Sequence, residues 1–210
     1  MQTPFFDAFP VGPFQCNCTI LGCKETGEGI VIDPGGDSDK ISAVLAAQNL
    51  RPRFILHTHA HLDHVGGTNA VHKTCGGQTC LHEDDMPLCN RLDVQADLFG
   101  LEVPDTPTID HFLKDGASLS FGKHSVEVLH TPGHTPGSLS FFIADLGLWT
   151  GDTLFFRSIG RTDLWGGSHP TLIASIHNKL LSFPEETRVY PGHGPKTAIG
   201  IEKKENPYLQ

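Results

Sequence analysis

Residues 57–64 read His57-Thr58-His59-Ala60-His61-Leu62-Asp63-His64, directly after the apolar run Arg53-Phe54-Ile55-Leu56. The core of the stretch is H-x-H-x-D-H, formed by His59, His61, Asp63 and His64. These four donors cannot share one face of a regular element, because side chains repeat every 3.6 residues on a helix and every 2 on a strand. On a loop leaving a strand they can splay toward two neighbouring points. Imidazole mixed with carboxylate suits zinc and other borderline divalent metals better than calcium or magnesium. Packing gives no reason to gather such groups behind an apolar strand, since buried polar groups without partners cost free energy. The stretch therefore predicts a metal site at a strand end.

Three later segments extend it: Thr131-Pro132-Gly133-His134-Thr135-Pro136-Gly137-Ser138, Thr150-Gly151-Asp152-Thr153 and Tyr190-Pro191-Gly192-His193-Gly194. Each follows a short β-branched or aromatic run. Proline sets φ and glycine permits a sharp bend, so each turn presents its His or Asp at a strand terminus, where open α/β sheets usually hold ligands. Together the segments offer five His and two Asp. Two four-coordinate ions need about eight positions. A shared carboxylate and a shared water complete both sets, so the count points to a dinuclear centre.

Strands are predicted at Thr19–Leu21, Gly29–Ile32, Arg53–Leu56, Ser125–Leu129, Ser138–Ile143, Leu148–Thr150 and Thr187–Tyr190, each closed by turn residues. Helices are predicted from Asp37 or Ser38 to Leu50, over Asp84–Phe99, and over Thr171–Leu181 with Ser168 as cap. Val103–Asp110 reads as a proline-rich loop. Mixed elements without a linker predict one layered α/β domain over residues 1–210. With 210 residues, 38% of them hydrophobic and 13 Phe, a sizeable core is possible. The net charge of −9 argues against nucleic-acid binding and against docking on an anionic membrane. The N-terminus lacks a secretory signal pattern, and no run approaches the roughly 18 apolar residues of a membrane span. Six cysteines without a C-x-x-C pair predict reduced thiols in a cytoplasmic protein, with a Cys75–Cys80 bridge left open.

The combination H-x-H-x-D-H, T-P-G-H-T-P-G-S, G-D-T and P-G-H-G resembles the metallo-β-lactamase superfamily, and within it the glyoxalase II (hydroxyacylglutathione hydrolase) branch, in a short form without the helical C-terminal extension. The resemblance implies an αββα sandwich with metals at one edge of its two sheets. It assigns His59, His61 and His134 to a first zinc and Asp63, His64 and His193 to a second, with Asp152 bridging; iron or manganese would also be accepted in either position. Asp63 and Asp152 are accordingly the expected catalytic carboxylates.

Paired cations lower the pKa of a shared water enough to supply hydroxide at neutral pH, so no side-chain nucleophile is required, and no G-x-S-x-G elbow is present. An amide nitrogen must be protonated to leave, whereas a thiolate, whose parent thiol has a pKa of about 8.5, leaves unaided. With no obvious acid reserved for the leaving group, the expected reaction is hydrolysis of a small anionic thioester, S-lactoylglutathione or a related glutathione-derived acyl thioester. The alternatives are a mononuclear iron, persulfide dioxygenase-like enzyme of the same fold and a non-catalytic metal-binding module.

For substrate binding the resemblance points to Arg161, which stands where the family has a glutathione-holding Lys; Asp163 stands where it has a Tyr. His57, His130 and Asp33 are read either as supports of the site or as packing and turn residues. Phe14, Phe155 and Phe156 are read as core.

Overall fold

Ile20 and Leu21 point to opposite faces of one strand, yet both are fully buried. Ile55 and Leu56 repeat the pattern, as do Leu148 and Trp149. Strands covered on both faces require a layer on each side. The computed structural model, which describes residues 3–210, supplies those layers as two six-stranded sheets packed face to face with helices outside.

The first sheet runs in chain order: β1 (Phe5–Val11), β2 (Cys16–Gly22), β3 (Glu28–Ile32), β4 (Arg51–Leu56), β5 (Gln78–Leu81) and β6 (His111–Phe112). β1 to β3 pair antiparallel; β3 to β6 pair parallel. The second sheet contains β7 (Ser118–Phe121), β8 (His124–His130), β9 (Leu139–Ile143), β10 (Gly147–Gly151), β13 (Arg188–Pro191) and β14 (Thr197–Ala198), in the order β14-β13-β10-β9-β8-β7. A small hairpin, β11 (Leu154–Phe155) with β12 (Ser158–Ile159), follows β10. The helices are α1 (Ser38–Ala47), α2 (Leu62–Val65), α3 (Thr68–Cys75), α4 (Met86–Cys89), α5 (Leu92–Phe99), α6 (His169–Ser175) and α7 (Ile199–Glu205).

The core has three principal layers. Between the sheets, Leu21, Ile30, Ile32, Phe54 and Leu56 meet Val126, Val128, Phe141, Ile143 and Trp149. Outside the first sheet, Ile20, Val31 and Ile55 pack on Ile41 and Leu45 of α1 and Val71 of α3. Outside the second, Leu129, Leu148 and Val189 pack on Leu172, Ile176 and Leu180. This is the expected αββα arrangement. Burying a Leu or Ile side chain is worth about 1.5–3 kcal/mol, so these layers hold the sheet edges in place.

Local expectations held with three amendments. Asp37 precedes α1 in left-handed geometry (φ 47°) and its carboxylate accepts from the Gly12 amide, so it ties the turn to β1 instead of capping the helix. The segment expected as one helix over Asp84–Phe99 is a 3₁₀ turn at Glu83–Asp85, then α4 and α5, with Arg91 leaving helical geometry at φ −124°, ψ 36°. The Thr171–Leu181 helix is α6 followed by a wider π turn over Ile176–Leu180; Ser168 caps it through the Thr171 amide. All six cysteines are free, so no Cys75–Cys80 bridge forms. Cys80 is buried on β5, while the Cys75 thiol donates to the Ser42 hydroxyl.

Candidate metal centre

The loop after β4 carries His59 and His61, and α2 begins on the next residue. His61 stands at its N-cap, so Asp63 and His64 leave on the first turn of the helix, with the His64 ring 4.0 Å from that of His59. The T-P-G-H turn follows β8, Asp152 follows β10 and His193 follows β13, bringing all seven expected donors to one end of the two sheets.

The donors form two groups. His59 Nε2 and His134 Nε2 each lie 2.9 Å from His61 Nδ1. In the second group His193 Nε2 lies 3.0 Å and His64 Nε2 3.6 Å from Asp63 Oδ2. Asp152 stands between them. Its Oδ2 faces His134 Nε2 at 3.7 Å, and its Oδ1 faces His64 Nε2 at 3.5 Å and His193 Nε2 at 3.8 Å.

Outer hydrogen bonds set which nitrogen of each ring carries the proton. His134 Nδ1 donates to the Arg161 carbonyl (2.8 Å) and His193 Nδ1 to the Phe14 carbonyl (3.1 Å). His64 Nδ1 donates to Asp33 Oδ2 (3.0 Å). The Thr58 hydroxyl donates to that same oxygen (2.7 Å), which leaves its lone pair to accept from His59 Nδ1 (3.1 Å). In their neutral forms these four rings therefore aim lone pairs inward, at other lone pairs and at carboxylate oxygens. Two inward atoms, His64 Nε2 and Asp152 Oδ1, are buried without any hydrogen-bond partner. Buried polar atoms are seldom left so. Divalent cations at the two foci would satisfy them, and nitrogen with carboxylate donors is a fitting set.

The electrostatics agree. Burial, reinforced by neighbouring histidines, holds His59 well below the ordinary imidazole value and His61 at about 3, so both are unprotonated and free to donate. Burial alone would raise Asp63, but His64 and His193 outweigh it and hold the carboxyl below the usual range. Burial also opposes charge on His64 and His193, yet their acidic neighbours carry both above the ordinary value. The carboxylates of the second group call for positive charge, which a metal ion supplies as well as a proton.

Asp33 is a support of the site, not only a turn residue. Buried and held at φ 52°, it accepts from the Thr58 amide, the Thr58 hydroxyl and His64. Such geometry is costly for a residue other than glycine and persists where the surroundings demand it. His57 is a packing residue: Nδ1 donates to the Cys80 carbonyl (2.9 Å) and Nε2 accepts from Thr68 (2.7 Å). His130 donates to the Pro136 carbonyl and stacks on His82 at 4.2 Å, away from the donors.

Two residues went unnoticed in the sequence. Asp85, fully buried, accepts from the Ala60 amide (2.9 Å), the Thr135 hydroxyl (2.8 Å) and the Gly137 amide (2.6 Å), joining the two loops that carry His59, His61 and His134. Gln95 accepts from the Leu62 amide (2.8 Å) and donates to the Ala60 and Leu88 carbonyls, locking α5 to the same loop. Their signal lies only in contacts between distant segments.

A chamber of about 180 Å³ opens above the donors. Arg161 lines it, with its guanidinium paired bidentately to Asp163 at 2.7 Å on both arms. Phe14 is not core: it lines the chamber, edge-on to Phe99 at 4.9 Å. Phe156 is exposed and Phe155 half-buried.

Two sheets flanked by helices, with histidine and aspartate donors converging at one edge, define a metal-binding hydrolase fold. The family model of the metallo-beta-lactamase superfamily matches residues 11–193, and the chain belongs to that superfamily. The chain is similar to the hydroxyacylglutathione hydrolase GloC of Haemophilus influenzae, 38% identical over 211 residues, with 97% of each chain covered. It is also similar to the crystal structure of BLEG-1 B3 metallo-beta-lactamase (42% identity, TM-score 0.90, covering 98% of this chain and 99% of that one). TTHA1623 in a di-iron-bound form is likewise similar (39% identity, TM-score 0.87, covering 95% and 98%). Among the described residues no helix is long and apolar enough to cross a membrane.

Proposed function

We propose that the protein is a dinuclear metal-dependent hydrolase of thioesters. The observation that carries this reading is the inward convergence of seven donors, with His64 Nε2 and Asp152 Oδ1 left unpartnered. His59, His61 and His134 would hold one ion, Asp63, His64 and His193 the other, and Asp152 both. Bound ions would supply Lewis acidity and an activated water. Zinc is the proposed metal; the di-iron form of the TTHA1623 relative supports iron as an alternative occupant of the same donors.

The chain's own residues do the rest. Asp33, and the carbonyls of Arg161 and Phe14, keep the rings in one tautomer and orientation. Phe14 and Leu164 narrow the chamber around the reacting bond. Asp152 keeps the two donor groups in a fixed relation, and Asp63 places a carboxylate on the chamber wall. Overall, water adds its oxygen to the acyl carbon, the C–S bond breaks, and the products are a carboxylic acid, which ionises, and a thiol. No side chain positioned as a leaving-group acid is needed, because the thiolate is stable enough to depart. The likeness to GloC supports a glutathione-derived thioester. A reducing compartment, the cytoplasm, fits six unpaired cysteines.

The test measures thiol release from S-lactoylglutathione and other S-acylglutathiones, with metal content determined on the same sample. Turnover with about two metals per chain is expected. Metal well below one per chain refutes the site, and full metal without thiol release refutes the reaction. A second reading, β-lactam cleavage, rests on the similarity to BLEG-1 and is checked by including a chromogenic cephalosporin.

A further inference from the structure

Beside the chamber runs a groove of about 390 Å³, walled by α5, by Pro87 and Leu88 on its near side, and by the Leu164–Trp165 loop opposite. The two concavities share His61, Gln95, Phe99 and Leu164, so the groove starts at the first donor group. α5 is apolar on opposite sides. Leu92 and Ala96 pack inward against Leu62 and Val65, while Val94 (46% exposed), Leu98 (69%) and Phe99 (47%) line the groove. Trp165, 57% exposed, closes it from a separate loop. Large apolar side chains gathered from two segments around one concavity mark a binding surface. Gln95 locks α5 to the donor loop, so the groove is already formed without ligand.

The charges nearby are already paired. The fork of Arg161 is taken by Asp163 at 2.7 Å, and Arg91 faces Asp93 at 3.6 Å. Neither guanidinium is left free to pair with an ionised acyl group in the groove. At about twice the volume of the chamber, the groove suits a chain of several carbons.

We propose that this groove holds the acyl chain of the thioester, making the enzyme selective for medium-length alkyl or aryl acyl groups over small hydroxyacyl ones. The proposal rests on the thioesterase reading and names its substrate class. The thiol portion leaves through the chamber mouth, and the carboxylic acid product departs from the groove.

The experiment compares S-acetyl-, S-butanoyl-, S-hexanoyl- and S-octanoylglutathione by thiol release with the metal-loaded protein. Expected is a rise in kcat/KM of about 4-fold per methylene, as burial of each CH₂ in an apolar site would give. Leu98→Asp and Trp165→Ser, at exposed positions that tolerate polar side chains, should each cut the octanoyl-to-acetyl ratio at least about tenfold. A parallel arm places the octyl chain on the thiol of an acetyl thioester, where no gain is expected. A flat series, a gain only in the thiol arm, or a ratio unchanged by both variants overturns the acyl assignment while leaving the thioesterase reading intact. If no thioester in the panel releases thiol, the thioesterase reading itself fails, and the acyl assignment with it. Titration with octanoate, followed by Trp165 fluorescence, adds a readout independent of turnover; a response equal in wild type and Leu98→Asp counts against the groove.

Discussion

Asp85→Asn should loosen the metal site without touching a metal ligand. The carboxylate is fully buried and bonds three donors: Oδ2 takes the Ala60 amide and the Thr135 hydroxyl, and Oδ1 takes the Gly137 amide. Asparagine keeps the volume but has one oxygen. In its better orientation that oxygen keeps Ala60 and Thr135, and the new NH₂ is forced against the Gly137 amide. A hydrogen bond to a charged group is worth about 1.5–3 kcal/mol, and a stranded buried donor costs about 1–3 kcal/mol. Opposing this, the substitution removes a buried charge; burial already pushes the Asp85 carboxyl above its ordinary value, against the three donors. The net loss should be about 2–3 kcal/mol, read as a lower urea midpoint at unchanged slope for the metal-free protein. Because the bonds join the loop of His59 and His61 to that of His134, zinc affinity by chelator competition should fall about 10- to 100-fold, as for other lost supports of metal ligands. A double-mutant cycle with Thr135→Val should be non-additive, since one hydrogen bond is common to both changes. An unfolding free energy within ~0.5 kcal/mol of wild type, together with unchanged zinc affinity, would refute the cross-link.

Gly192→Ala should unseat the second metal position. A Cβ there would lie 2.3 Å from Asp152 Oδ1 and 2.8 Å from His64 Cε1, so metal content should fall from two per chain toward one, with the far-ultraviolet spectrum unchanged; retention of both ions disproves the close approach. Removal of metal with EDTA should lower Tm, and zinc at 100 times its dissociation constant should restore about 2.7 kcal/mol of stability. A Tm indifferent to zinc speaks against a site formed only in the folded chain. Burial pushes the Cys80 thiol up to about 12 and Cys89 to about 11, so peptide mapping after iodoacetamide treatment at pH 8 should find both unlabelled in the native protein and labelled after unfolding. Rapid native labelling of either would show a more open core than described.

The donor set was legible because four of its members are neighbours in the chain. His59, His61, Asp63 and His64 occur within six residues, and the P-G-H and G-D-T turns repeat one local device, a side chain presented at a strand end. Seven strand cores were legible for the same reason, since a β-branched or aromatic run closed by turn residues is a local signal, whereas the alternating strand Phe5–Val11 went unread. Element edges were less so. The chain breaks between α4 and α5 at Arg91, a break enforced by tertiary contacts: Asp85 and Gln95 must both turn toward the donor loop.

The amino-acid sequence by itself determined which donor types exist, that they number enough for two ions, and that they sit on turns after strands. The family resemblance proposed how those donors divide, and the tertiary structure supplies the geometry that brings them together. The loop after β4 holds His59 and His61 while the first turn of α2 carries Asp63 and His64, and Asp152 stands between the two groups, within 3.8 Å of His134, His64 and His193. Only the tertiary structure set the tautomers, through partners as distant as the Phe14 carbonyl and His193, 179 residues apart. It also built the apolar groove from α5 and the Leu164–Trp165 loop. Hydrogen bonds and cavities of this kind join segments that carry no common local signal, so they come into being only when the sheets pack.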